Sequence, residues 1–108
     1  MMDTPLDRAL EIIVKFVEPE KIILFGSRAT GESKLDSDYD LLVIKKETEH
    51  RRKLAQQIYK LLYGIGIAVD IIVETPDRFE VLKDNPFLVY KEIEKRGKVL
   101  YERKSIAV

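Results

Sequence analysis

The sequence contains no cysteine and no tryptophan, and has only five glycines and four prolines among 108 residues. Without cysteine there is neither a disulfide framework nor a thiolate metal site. So little glycine and proline excludes collagen-like and low-complexity chains. No charge of one sign dominates: 19 basic side chains balance 19 acidic ones. The bulk electrostatic argument for a nucleic-acid partner is therefore missing, and no direct nucleic-acid binding is expected. No apolar run reaches the roughly 20 residues of a membrane span, and no secretory signal pattern opens the chain, so the expectation is a cytoplasmic protein without membrane association. What is present is 45% hydrophobic and 35% charged residues, the composition of a soluble globular protein. The length suits one domain over residues 1–108.

Helical and strand patterns alternate along the chain. Thr4 and Pro5 give a capping hydroxyl and a proline at the first helical position, and Leu6, Ala9, Leu10, Ile13, Phe16 and Val17 recur on one face. This predicts a helix over 5–18, stopped by Pro19. The β-branched run at 21–25 and the apolar run at 40–44 read as buried strands. A second helix is expected over 48–63, with Leu54, Ile58, Leu61 and Leu62 inward, and a strand over 68–73 follows Gly64 and Gly66. Thr75-Pro76 starts a short helix over 76–83. Asn85-Pro86 repeats the device for a helix carrying Phe87, Tyr90 and Ile93 inward and ending at Gly97, before a last strand over 98–101. The fold class is α/β (α+β), helices packed on a small sheet. The link over 26–38 is too short for a crossover helix, so its two strands should be antiparallel or offset and the sheet mixed.

Residues 26–33 read GSRATGES, one position short of the phosphate-loop pattern G-x-x-x-x-G-K-[ST], with Glu32 in place of the lysine. A carboxylate there would repel the phosphates that the lysine neutralises, and a strand rather than a long helix follows. The phosphate-loop reading is therefore excluded, while ordinary turn chemistry would account for Gly26 and Gly31 taken alone.

Downstream stand the carboxylates. In a strand, Asp38 and Asp40 share a face roughly 6.5–7 Å apart, with Tyr39 on the other. Asp70 sits between Val69 and Ile71, where an unpaired carboxylate is costly, so something positive should meet it. If its strand neighbours that of Asp40, three carboxylates converge, an oxygen-only set suited to Mg²⁺ or Mn²⁺. Two plain alternatives stay open. Asp36-Ser37-Asp38 could be a solvated turn, and Asp70 could pair with a basic side chain of a neighbouring helix. His50, beside Arg51 and Arg52, reads as a surface residue.

Gly26-Ser27, then Asp38-Tyr39-Asp40 entering an apolar strand, then Asp70 in a later one, resembles the nucleotidyltransferase fold of the DNA polymerase β superfamily. The whole chain resembles the smallest branch, the minimal nucleotidyltransferases, which act as antitoxins beside HEPN-domain toxins. The resemblance implies that Gly26 and Ser27, with Arg28, lie against a nucleotide triphosphate. It implies that Asp38, Asp40 and Asp70 are the catalytic carboxylates holding two ions, Mg²⁺ or Mn²⁺, with ATP as substrate. The implied acceptor is a tyrosine of a HEPN-domain toxin. A non-catalytic antitoxin that neutralises by binding, and adenylylation of a small molecule, are the competing readings. The sequence leaves homo-oligomer formation open.

Overall fold

Alternation along the strands decides which residues meet on each side of the sheet. Ile22, Leu24, Leu41, Val43, Ile71 and Val73 join one buried cluster, whereas Ile23, Phe25, Leu42 and Ile44 join another. The computed structural model describes residues 4–34 and 37–104. Its elements are α1 (Pro5–Val17), β1 (Lys21–Phe25), the single turn α2 (Ser27–Thr30), β2 (Tyr39–Ile44), α3 (Arg51–Leu61), β3 (Val69–Glu74), α4 (Pro76–Leu82), α5 (Val89–Arg96) and β4 (Lys98–Glu102). The strands form one sheet in the order β3-β2-β1-β4. β1 pairs antiparallel with both β2 and β4, and β2 pairs parallel with β3. The mixed sheet expected from the short 26–38 link is thus present, and α3 supplies the crossover that the parallel pair requires.

Helices cover both faces. Ala9, Ile13 and Val17 of α1 and Ile58 of α3 close the first cluster, and Phe79 of α4 and Ile93 of α5 close the second. Ile13, Ile22 and Ile58 are fully buried, each stabilising the fold by about 1.5–3 kcal/mol relative to exposure. The start of α1 is a capping box: Asp7 N donates to Thr4 Oγ1 at 3.1 Å and Thr4 N to Asp7 Oδ2 at 3.2 Å. Thr75 caps α4 similarly, accepting from Arg78 N at 3.3 Å. At Gly97, where α5 passes directly into β4, a Cβ would lie 2.5 Å from the Ile93 carbonyl and 2.6 Å from Ile23 Cγ2, so only glycine fits.

Three expectations are corrected. Phe16 is 61% exposed with Lys15 stacked on its ring, because the inward stripe of α1 runs through Ala9, Ile13 and Val17. α3 begins at Arg51 rather than at residue 48, and Leu61 lies at its exposed margin. Asn85-Pro86 does not start a helix: Asn85 Oδ1 accepts the Phe87 N–H at 2.9 Å in a local turn, α5 begins at Val89, and Phe87 is 92% exposed. Asparagine's short side chain satisfies a nearby backbone donor in a turn as readily as at a helix start. Asp36, part of the turn-like Asp36-Ser37-Asp38, lies outside the described residues. Among the described residues no helix is long and apolar enough to cross a membrane.

Candidate active site

β1 ends at Phe25, opposite Asp40 in the antiparallel register. The chain then turns at Gly26, with φ 72° and ψ −158°, into α2. The Gly26 carbonyl accepts from Ala29 N at 3.0 Å and Thr30 N at 3.2 Å, and Gly31 closes the turn in the left-handed conformation. A Cβ on Gly26 would lie 2.2 Å from Asp40 Oδ2. Glycine is needed here twice over, for its dihedrals and for the room it leaves the carboxylate. The glycine loop and the aspartate strand are therefore packed as one structure.

Asp40 also stands directly opposite Asp70 in the parallel register of β2 and β3. Asp38 lies just before β2 and is exposed, as is Asp70. Burial pushes the Asp40 carboxyl above its ordinary range, and the Asp70 and Asp38 carboxylates push it further in the same direction. Ser27, half-buried, is the first residue of α2 beside Gly26. Arg28 faces the loop: its Nε and Nη2 donate to the Ser37 carbonyl at 3.1 and 2.8 Å, and its guanidinium stacks 4.3 Å from the centre of the Tyr39 ring. In this position it braces the backbone just ahead of Asp38.

The expectation that Asp70 is buried in its apolar strand is corrected, because it is exposed. Asp70 accepts a hydrogen bond from the Tyr59 hydroxyl of α3 at 3.0 Å. Its exposure leaves the carboxylate solvated at the mouth of the sheet rather than buried in its interior. The buried carboxylate with basic partners is four residues on, at Glu74, which is fully buried. Glu74 accepts from Arg51 Nη1 at 2.9 and 2.8 Å, Arg78 Nε at 3.1 Å, Tyr90 OH at 2.8 Å and Thr75 N at 3.1 Å. Five hydrogen bonds from four donor groups leave its two oxygens well satisfied, as a buried carboxylate requires. Neither Tyr59 nor Glu74 was among the sequence candidates. Glu74 ends an apolar strand and could have been noticed for that reason, whereas Tyr59 is one tyrosine on a largely polar helix.

Asp38, Asp40 and Asp70 form an oxygen-only donor set suited to a hard divalent cation. The carboxylate repulsion at Asp40 is what such an ion would relieve, so the residues present fit the group. The backbone register brings them to one end of the sheet without drawing the side chains together. Among the described residues no three acidic or histidine side chains stand close enough, as they are, to hold an ion. A cleft of about 730 Å³ opens on the outer side of β3. Its lining includes Arg52, Lys53, Gln56, Ile72 and Tyr90 but none of the three aspartates, so this cleft is separate from the carboxylate end, where Asp38 and Asp70 are exposed.

Residues 6–100 match the Nucleotidyltransferase domain family, an interval containing Gly26, all three aspartates and every strand but the end of the last. The chain belongs to that family. Among relatives of this nucleotidyltransferase domain, Protein adenylyltransferase MntA of Aphanizomenon flos-aquae is 28% identical over 96 residues. The match takes in 87% of this chain and 64% of that protein, so the chain spans less than two thirds of that relative. MJ0604 of Methanocaldococcus jannaschii, provisionally named a protein adenylyltransferase, is 32% identical over 83 residues, 76% of this chain and 78% of that protein. A crystal structure of a toxin–antitoxin with AMP-PNP superposes with a TM-score of 0.60 at 22% identity, covering 91% of this chain and 73% of that one. That likeness establishes the nucleotidyltransferase fold.

Proposed function

We propose that this domain transfers AMP from ATP to a hydroxyl group, and that the acceptor is a tyrosine on a HEPN-domain toxin that the domain thereby neutralises as its antitoxin. One observation carries the reading. The loop glycine lacks a side chain at the point where the Asp40 carboxylate would meet it, so the glycine loop and Asp40 are packed against each other. Gly26 and Ser27 approach the triphosphate, with backbone N–H groups and the Ser27 hydroxyl as donors to its oxygens. Arg28 supports that loop from behind through Ser37 and adds positive charge near the phosphates. Asp38, Asp40 and Asp70 would hold the divalent ions, Mg²⁺ or Mn²⁺, two in number. When bound, those ions neutralise the triphosphate and favour in-line displacement at its α-phosphorus.

The chain's own residues then orient the reactants. The register of β1, β2 and β3 holds Asp40 and Asp70 beside the loop, and the exposure of Asp38 and Asp70 would let an acceptor reach the donor from solvent. The new bond joins the acceptor oxygen to the α-phosphorus, the bond to the bridging oxygen breaks, and pyrophosphate leaves. Asp70, at the exposed end, is placed to take up the acceptor's proton. The names of the relatives support adenylyl transfer to protein rather than to a small molecule. The test is incubation with Mg²⁺-ATP and a HEPN-domain toxin from the same source. Intact-mass measurement of that protein should show added AMP units on a tyrosine. Neutralisation of the toxin without any added mass would favour the binding-only antitoxin, and modification confined to small molecules would reject the protein acceptor.

A further inference from the structure

We propose that Tyr59 is a positioning residue for Asp70, selecting which carboxylate oxygen of Asp70 faces the reactants. The inference rests on the adenylyl-transfer reading above. β3 is an edge strand, and its even-numbered residues bond inward to β2: Tyr39 N donates to Ala68 O and Lys45 N to Glu74 O, both at 2.9 Å. The Ile71 N–H therefore points out of the sheet, where it donates to the Tyr59 hydroxyl at 2.8 Å. A phenol has one proton. With its oxygen accepting from Ile71, Tyr59 directs that proton to Asp70 Oδ1 at 3.0 Å. The hydroxyl is thus oriented from both sides, and Oδ1 is engaged while Oδ2 is left for the reacting end. The phenol itself is held by α3, whose Ile58 is fully buried and whose next turn buries Leu62. The first bond satisfies the edge N–H of the buried Ile71. The second bond, to the exposed Asp70 carboxylate, gives the tyrosine its bearing on the site. Partners of this kind that orient a ligand typically change metal affinity or activity about 10–100-fold when removed.

Tyr59→Phe deletes the hydroxyl and keeps the ring, and a thermal melt with circular dichroism checks that it folds. Mn²⁺ affinity is measured by electron paramagnetic resonance in the presence of a non-hydrolysable ATP analogue. It should weaken about 10–100-fold in Tyr59→Phe and fall no further when Tyr59→Phe is added to Asp70→Asn. In the transfer assay kcat should fall while KM for ATP holds. Mn²⁺ affinity equal to wild type in Tyr59→Phe, or an equal loss in the Asp70→Asn background, would overturn the assignment. So would an AMP group found on Tyr59 itself, which would make it an acceptor. Because Mn²⁺ binding is read without turnover, a wild type that binds the ion but transfers no AMP refutes the proposed function and still leaves the coupling to be measured. A wild type that binds no Mn²⁺ refutes both.

Discussion

At Gly26 the absence of one methyl group joins the loop to the carboxylate beside it. Its dihedrals, φ 72° and ψ −158°, lie in a region that is essentially glycine-only. Gly26→Ala should cost about 1–3 kcal/mol of stability and about 100-fold in AMP transfer, because Asp40 must move to admit the Cβ and small displacements of a reacting group are expensive. Chemical denaturation and a transfer assay on the same preparation check both. Asp40 gives a second test, in pH. Burial and the neighbouring Asp70 and Asp38 raise its folded pKa above the unfolded value. Between those two pKa values the folded state binds more protons than the unfolded one, so metal-free stability falls as pH rises through the window just above the ordinary aspartate pKa of about 3.9. Asp40→Asn should remove that decline and be no less stable than wild type at neutral pH. A metal-free wild type that gains stability across this window relative to Asp40→Asn would contradict the repulsive cluster.

Glu74 ties three elements together: Arg51 comes from the start of α3, Arg78 from α4 and Tyr90 from α5, all converging on the last residue of β3. Glu74→Ala strands two cations, both partly exposed, so the loss should sit near the lower end for broken buried pairs, about 3 kcal/mol. Equilibrium denaturation measures it. Tyr90 adds a pH signature: burial, then its bond to Glu74, pushes the phenol up to about 12. An unfolded tyrosine titrates near 10. Stability should therefore hold below pH 10 and decline as pH rises from 10 toward 12, and Tyr90→Phe should flatten that decline. At this scale much was legible in the sequence. Thr4-Pro5 and Thr75-Pro76 marked two helix starts because a capping hydroxyl and a proline act within one turn of the chain. The short 26–38 link gave the antiparallel pair and the mixed sheet, because chain length limits topology. Local pattern could not locate Phe16 or Phe87, whose exposure depends on where a neighbouring element stops. Nor could it find Tyr59 at Asp70 or Arg51 and Tyr90 at Glu74, since those contacts join residues 11 to 23 positions apart. The expectation of a buried Asp70 does not hold, because an apolar strand need not be interior along its whole length, and the first residues of β3 emerge at the sheet's mouth.

For the molecule as a whole, two acidic centres lie on one strand with different duties. Asp70 belongs to an open, mutually repulsive group, whereas Glu74 belongs to a closed, fully paired one. Ligand binding separates them. Mg²⁺-ATP at a hundredfold excess over its Kd should stabilise the wild type by about 2.7 kcal/mol. Asp70→Asn should lose most of that gain while remaining as stable as wild type without ligand. A conservative Glu74→Gln should behave in reverse, melting lower without ligand and keeping its ligand-induced shift. Thermal melts of the three proteins, with and without Mg²⁺-ATP, check the pattern.

The most direct measurement of the central claim follows label from ATP. The proposed HEPN-domain partner is incubated with the domain and ATP labelled at either the α- or the γ-phosphate. AMP transfer predicts that α-label becomes covalently attached to the partner and γ-label leaves as pyrophosphate, with Asp38→Asn and Asp40→Asn each abolishing attachment while retaining their folds. Attachment of γ-label, or α-label attached at the wild-type rate by either variant, would contradict the assignment of these carboxylates to nucleotidyl transfer.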